Sequence, residues 1–298
     1  MDPGKFDCYD GIIEISPFRK HVYTATMLER YVRCPFAFLA GELWGLNERT
    51  LPLMSSSPDA RLKGKIVHEA VEEIIRVYGW KPADSDIISI LLREADKSDL
   101  ESKLGNSYLE ELFLENQKEI IRRSLDALAS EEWRFIDREV DLQGKIGDLD
   151  ICGRIDLILE DTSENLVVLD LKTGKLPSKK EIERGKYYQL PFYYQMMKSC
   201  FPGKNISKVT YAGISAREPG RLVGYSGDGI EQIMEAVQKN FERIASMMQE
   251  GIFPPIPTGN CEFCNFKNLC RKTPSQRIKN KAVSDGRMEL LSGMISIR

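Results

Sequence analysis

Three ionisable side chains sit in or at the end of two short apolar runs. Asp156 lies within Gly153-Arg154-Ile155-Asp156-Leu157-Ile158-Leu159, and Asp170 and Lys172 close Leu166-Val167-Val168-Leu169-Asp170-Leu171-Lys172. The polar stretch Glu160 to Asn165 between them reads as a turn, so the runs are expected to pair as an antiparallel hairpin. Side chains alternate along a strand with period two, which puts Asp170 and Lys172 on the same side. Carboxylates held close together in apolar surroundings are costly unless something neutralises them. Two carboxylates and an ammonium that converge in this way suit metal-assisted attack of water on a phosphodiester. The acids hold a hard divalent cation, the cation polarises the phosphoryl group, and the ammonium orients water or stabilises developing charge. A buried Asp-Lys ion pair beside an unrelated strand-end Asp is the competing reading of the same residues.

The chain that must position them has 298 residues, 42% hydrophobic and 29% charged, an ordinary globular composition with room for a sizeable core. No run approaches the ~20 apolar residues of a bilayer span, and Met1 to Asp7 lacks a basic region followed by an apolar one, so a cytoplasmic protein without membrane contact is expected. A net charge of -3 counts against a protein that coats nucleic acid non-specifically. Basic clusters nevertheless flank the proposed site: Arg61, Lys63 and Lys65; Lys175, Lys179, Lys180, Arg184 and Lys186; and Lys267, Arg271, Lys272, Arg277, Lys279 and Lys281. Each cluster is either a solvated face or part of a groove that tracks a phosphate backbone.

Residues 1 to 23 show no period and are expected to form an irregular arm. From Thr24 a helix is expected, with Thr26 and Glu29 as a capping box and Leu28, Tyr31, Val32, Phe36 and Leu39 at helical spacing, interrupted by Pro35 beside Cys34. After a loop over 46 to 60, a helix through Tyr78 carries the stripe Ile66, Val67, Ala70, Val71 and Ile74, with His68 near its edge. Glu72, not His, stands four residues after His68, which rejects a zincin motif. Helices are expected over Asp84 to Lys97 and Ser107 to Ser130, the second burying Leu109, Leu112, Phe113, Asn116, Ile120, Leu125 and Leu128. A strand over Trp133 to Leu142 contains Glu139. One helix from Lys179 to Ser199, bent at Pro191, puts Gln189 and Tyr193 on one face. A strand over Ile206 to Ile214, a helix over Asp228 to Gln249 and a stiff connector Phe253 to Pro257 complete the series and deliver Cys261. The tail after Thr273 is unassigned.

Asp156 followed by Asp170-Leu171-Lys172 resembles the catalytic core of the PD-(D/E)XK nuclease superfamily. Gly64-Lys65-Ile66-Val67-His68 resembles the GxxxH element of its RecB/AddB-like branch, and Gln189-Leu190-Pro191-Phe192-Tyr193 the QxxxY element. Cys34-Pro35-Phe36, with Cys261, Cys264 and Cys270, resembles the iron-sulfur staple of the AddB-type subset. The elements follow in order from Cys34 to Cys270, across most of the chain. The resemblance implies that His68, Asp156, Asp170 and the Leu171 carbonyl bind Mg2+ or Mn2+, that Lys172 positions the water, and that Gln189 and Tyr193 contact DNA. It marks Glu139 as an accessory carboxylate. It also implies a [4Fe-4S] cluster on Cys34, Cys261, Cys264 and Cys270, although four thiolates equally suit zinc and spacing alone does not choose. Cys8, Cys152 and Cys200 read as ordinary thiols.

The expected fold is α/β: a mixed central sheet flanked by helices, a restriction-endonuclease-like core, with a helical N-terminal portion and a C-terminal cysteine cap. It is read as one RecB-like nuclease domain over 1-298, with a helical portion at 24-130, the catalytic core at 131-250, the cap at 251-273 closing back on Cys34, and a tail at 274-298. The expected function is a metal-dependent DNA exonuclease on single strands or ends, in repair or recombination. Two alternatives stand beside it: a CRISPR-associated RecB-like nuclease that trims DNA for spacer acquisition, against which the long helical stretch from Asp84 to Ser130 counts, and a non-catalytic DNA-binding scaffold. No GxxxxGK[ST] phosphate loop occurs, so an ATP-driven helicase or repair partner would act in trans.

Overall fold

The computed structural model of the chain describes residues 12–13, 22–46, 58–183, 186–227, 229–256, 261 and 264–270. The two apolar runs do pair. β3 (Leu149–Glu160) and β4 (Leu166–Lys172) form an antiparallel hairpin, and Asp161 closes it by accepting from the main-chain N–H of Ser163 at 2.9 Å and of Asn165 at 3.0 Å, an Asx turn. β1 (Val22–Tyr23) runs parallel to β3, and β2 (Arg134–Ile146) runs antiparallel along most of its length. β5 (Ile206–Gly213) lies parallel to β4, and β6 (Leu222–Ser226) antiparallel to β5. The result is a six-stranded mixed sheet in the order β1-β3-β4-β5-β6, with β2 branching from β3. β4 is buried in every residue but Lys172, which explains why it reads as an unbroken apolar run instead of an alternating one.

Helices cover both faces of the sheet. Leu166 and Val168 of β4 join Ile155 and Ile158 in a core under α1 (Ala25–Arg33), α8 (Gln189–Cys200) and α9 (Gly229–Gln249). Val167, Leu169 and Leu171 face the opposite core under α3 (Ala60–Tyr78), α4 (Asp84–Lys97) and α6 (Ser107–Leu128). Short helices α2 (Pro35–Phe38), α5 (Leu100–Leu104) and α7 (Lys179–Glu183) complete the set. Side-chain caps fix several starts: Asp59 accepts from Leu62 N at 2.8 Å, Asn106 from Tyr108 N at 2.9 Å and Thr24 from Met27 N at 3.2 Å. Among the described residues no helix is long and apolar enough to cross a membrane.

Several local expectations are corrected. The first helix is capped by Thr24, because Thr26 already lies within it. The N-terminal arm is not wholly irregular: Val22 and Tyr23 pair with β3, and Ile12 bridges Ile252. The single helix expected over Lys179 to Ser199 is two, α7 and α8. Pro191 sits in the first turn of α8, where its missing N–H removes no intrahelical bond, so it calls for no bend. The face of α6 is rotated from the expected stripe: Leu112 is 56% exposed, while Leu114, Gln117, Ile121 and Ser124 are buried. The first long strand runs on to Ile146, and β6 was not expected at all. The tail at 274-298 and Cys8 lie outside the described residues.

Gly213 stands opposite Lys172 in the β4–β5 register, and a Cβ there would lie 2.2 Å from the Glu218 carbonyl oxygen and 3.2 Å from Leu176 Cδ1. Backbone cannot yield as a side chain can. Gly213→Ala should therefore cost about 1–3 kcal/mol and lower the melting temperature, whereas Gly174→Ala, with nothing within 4 Å of the added carbon, should change it little. Equal melting temperatures for the two variants would contradict this packing.

Candidate active site

The site forms where β3 stops alternating regularly. Ile151 and Ile155 belong to the core under α8, but Leu157 and Leu159 belong to the opposite one, so the two-residue period breaks at Asp156. Across from it, pairing passes from Arg138 to Val140, and the skipped Glu139 has φ 49°. Such irregularities re-aim a side chain out of the regular pleat. Asp156 then accepts the Leu171 main-chain N–H at 2.8 Å, and His68 Nδ1 of α3 lies 3.5 Å from its Oδ2.

Asp170 is 1% exposed. The Tyr193 hydroxyl of α8 donates to its Oδ1 at 3.0 Å, and Lys172 Nζ lies 2.5 Å from its Oδ2. Lys172 also donates to Gln189 Oε1 at 2.8 Å and stands 5.1 Å from the centre of the Tyr211 ring. The structure thus brings His68, Asp156, Asp170, Leu171, Lys172, Gln189 and Tyr193 together. The last two also bind side chains of the centre itself. Gln189 Oε1 is engaged by Lys172 and the Tyr193 hydroxyl by Asp170, with Tyr193 only 5% exposed, and both residues line the cleft beside the acids.

Glu72 is not among the residues expected from sequence, although its place four residues after His68 puts it on the same helix face. It is 3% exposed, its Oε1 lies 4.0 Å from His68 Nδ1, and its Oε2 accepts no hydrogen bond. His68, Glu72 and Asp156 form the one set among the described residues in which three ligating atoms lie within 4.8 Å of one another. Glu139 is 44% exposed at its side chain and faces Arg154 at 3.7 Å. Two clefts meet at His68 and Asp156. One, about 330 Å3, is lined by Arg61, Lys65, Glu72 and Glu139; the other, about 380 Å3, by Thr24, Thr26, Asp170 and Lys172; Arg154 borders both.

The electrostatics follow from this crowding. Burial, and then the neighbouring Asp170, hold the Asp156 carboxyl well above the usual carboxylate range, opposed by the Leu171 N–H. Burial pulls Lys172 down, but Asp170, Asp156 and Glu29 together outweigh it and leave the ammonium stabilised. Burial lowers His68, with Asp170 and Lys172 pulling in opposite directions. Glu72 is pushed up to about 8, by burial first and by Glu139 second, against Arg138.

The cysteines converge elsewhere. Cys34 is the extended residue between α1 and α2, and the connector after α9 packs there through Phe253, stacked on Phe38 at 6.1 Å. Cys34, Cys261, Cys264 and Cys270 line one cavity with Phe36, Ile256 and Phe266. Burial pushes the Cys34 thiol up, while main-chain hydrogen bonds at Ile256 and Ala37 pull it down.

The Glu72 carboxyl gives a pH dependence with a definite sign. Its folded pKa lies above the ~4.3 of an unfolded Glu, so the metal-free native state holds this proton the more tightly. The stability so contributed is complete below about pH 4 and is lost as pH rises towards about 8. Glu72→Gln stays neutral and removes that slope. In chelator, the melting temperature of the variant should rise relative to wild type between about pH 5 and about pH 8.5, by the equivalent of a few kcal/mol; a pH-independent difference would contradict it.

A family model described as the PD-(D/E)XK nuclease superfamily matches residues 23–271. An uncharacterized protein of Rickettsia conorii is 29% identical over 198 residues, 61% of this chain and 23% of that protein. One of Rickettsia bellii is 25% identical over 236 residues, 68% of this chain and 27% of that protein. The chain therefore spans about a quarter of the length of these relatives. A solved chain from Eubacterium rectale, described as a candidate exonuclease, aligns with a TM-score of 0.47 and 15% identity, covering 84% of this chain and 87% of that one. With most of its length matched by the family model, the chain belongs to the PD-(D/E)XK nuclease superfamily.

Proposed function

We propose that the chain is a divalent-metal-dependent DNA nuclease of the RecB/AddB-like branch, an exonuclease on single strands or ends that serves repair or recombination in the cytoplasm. One observation carries this reading: an imidazole, three carboxyls and an ammonium from α3, β3 and β4 meet between two open clefts that basic side chains border. The nuclease domain would run from about residue 24 to the last cysteine. PD-(D/E)XK nucleases use divalent metal ions, and the donor set here fits one. It is all nitrogen and oxygen, it includes a buried carboxylate oxygen without a hydrogen bond, and its acids are destabilised as long as no cation balances them. His68, Asp156, Asp170 and the Leu171 carbonyl would hold Mg2+ or Mn2+, with Glu72 as a further ligand. The ion would polarise the phosphoryl group and make bound water a better nucleophile.

The chain's own groups do the rest. Lys172, fixed between Asp170 and Gln189, keeps its charge at the reacting phosphate, where it orients water and stabilises the transition state. Tyr193 holds the Asp170 carboxylate in one rotamer. Arg61, Lys65 and Arg154, along the cleft, are placed to meet backbone phosphates.

The cysteine cavity is read as a [4Fe-4S] site. Cys34, Cys261, Cys264 and Cys270 line it together, and four thiolates suit such a cluster, with zinc as the alternative. The cluster would tie the connector after α9 to the end of α1 and act structurally.

Both assignments can be tested on one anaerobic preparation. Wild type should degrade end-labelled single-stranded DNA only with Mn2+ or Mg2+, and Asp170→Ala and Lys172→Ala should each lose at least about 100-fold. A folded, fully metallated wild type without cleavage would leave the DNA-binding scaffold as the better account. Wild type should contain iron and acid-labile sulfide in equal amounts and Cys34→Ser neither; zinc alone would overturn the cluster assignment.

A further inference from the structure

One part-buried carboxylate near the site has been given no part in the centre so far. Glu29 lies on α1, on the opposite side of the centre from His68 and Glu72, and its Oε1 accepts the Tyr188 main-chain N–H at 2.7 Å. The neighbouring Gln189 main-chain N–H favours its charged form as well. Both groups belong to the start of α8, where the helix itself leaves N–H donors unsatisfied. Tyr188, the residue at its N-cap, provides no side-chain cap. The cap comes instead from another helix, 159 residues earlier in the chain.

That first turn carries the contacts that hold the nuclease centre. Gln189 is its first residue and accepts from Lys172; Tyr193, one turn on, donates to Asp170. Because α8 begins afresh after a break from α7, continuous helix does not fix its start. We propose that Glu29 is a positioning residue: from α1 it clamps the first turn of α8 and so sets where Gln189 holds Lys172 and Tyr193 holds Asp170. The inference rests on the nuclease reading above. A carboxylate also suits the place electrically, since it meets the positive end of the α8 dipole, and Glu29 and Lys172 each stabilise the other's charge. The same α1 ends on Cys34, so the cysteine cavity and the nuclease centre are braced by one element.

The test compares Glu29→Ala, Glu29→Asp and Glu29→Gln in the full chain, with Arg30→Ala as a control on the exposed side of α1. Amide hydrogen exchange at Tyr188 is read beside kcat and KM for single-stranded DNA with Mn2+. Glu29→Ala and Glu29→Asp, the latter with its carboxylate withdrawn by one methylene, should speed exchange at Tyr188 at least about tenfold. They should lower kcat by a similar factor while KM moves less than about twofold. Glu29→Gln, whose amide oxygen still accepts the Tyr188 N–H, should restore protection and most of kcat; Arg30→Ala should change neither. Glu29→Asp serves if Glu29→Ala does not fold. Unchanged exchange in both Ala and Asp variants overturns the clamp, and faster exchange with wild-type kcat overturns its bearing on Lys172. A wild type that does not cleave sinks the nuclease reading instead. The clamp is then judged on amide exchange and on the Lys172 ammonium resonance, which should shift in Glu29→Asp; an unmoved resonance overturns it.

Discussion

Two carboxylates on neighbouring strands, one nearly sealed from solvent, are the constraint around which the rest of the molecule is arranged. Unit charges about 4 Å apart at an effective dielectric of about 20 interact by about 4 kcal/mol, a large share of the 5–15 kcal/mol by which a typical domain is stable at all. Asp156 shows the strain directly, its carboxyl held well above the usual range by burial and by Asp170. What the fold supplies is partial relief: the Leu171 N–H for Asp156, the Tyr193 hydroxyl and the Lys172 ammonium for Asp170. A divalent cation would complete that relief, and costly geometry of this kind belongs at a functional site.

The architecture makes this arrangement rigid. β4 is buried on both faces between parallel β5 and antiparallel β3, so the backbone that carries Asp170, Leu171 and Lys172 has little freedom. α3 brings His68 and Glu72 from one side of the sheet. α8, with α1 behind it, brings Gln189 and Tyr193 from the other. Further along α3, buried Glu73 is satisfied by Arg76 at 2.7 Å, Arg93 at 3.1 Å and Arg138 at 3.2 Å. Glu72, one residue earlier, has Arg138 only at 3.9 Å. Neighbouring acids on one helix thus separate into a satisfied structural one and an unsatisfied one that faces the site.

Much of this was legible in the sequence because the signals are local. The hairpin follows from two apolar runs and a polar turn, the His68 helix from its stripe, and the shared side of Asp170 and Lys172 from strand alternation. What escaped depends on contacts between distant segments. Nothing near Glu29 announces that it caps a helix 159 residues later. The break before α8 does carry a local signal, Gly185, which the helical spacing of Gln189 and Tyr193 outweighed in the sequence. β1 is too short to have a period, and its place is fixed by pairing with β3. Gln189 and Tyr193 do share a helix face, but sequence cannot tell whether that face meets a substrate or the centre's own side chains. The place of Asp156 was reached through the pairing of the two runs; the break in alternation that aims its side chain is not visible in them.

The most direct measurement is the melting temperature of wild type and Asp156→Asn with and without Mn2+. Asn keeps the acceptor for the Leu171 N–H but removes the charge. The strained pair predicts that, in chelator near neutral pH, the variant melts above wild type. It also predicts that saturating Mn2+ raises wild type by several degrees, since a ligand at 100 times its Kd adds about 2.7 kcal/mol, and raises the variant far less. A wild type that is insensitive to Mn2+ and more stable than Asp156→Asn in chelator would mean that the two acids are a settled part of the core and not a cation site.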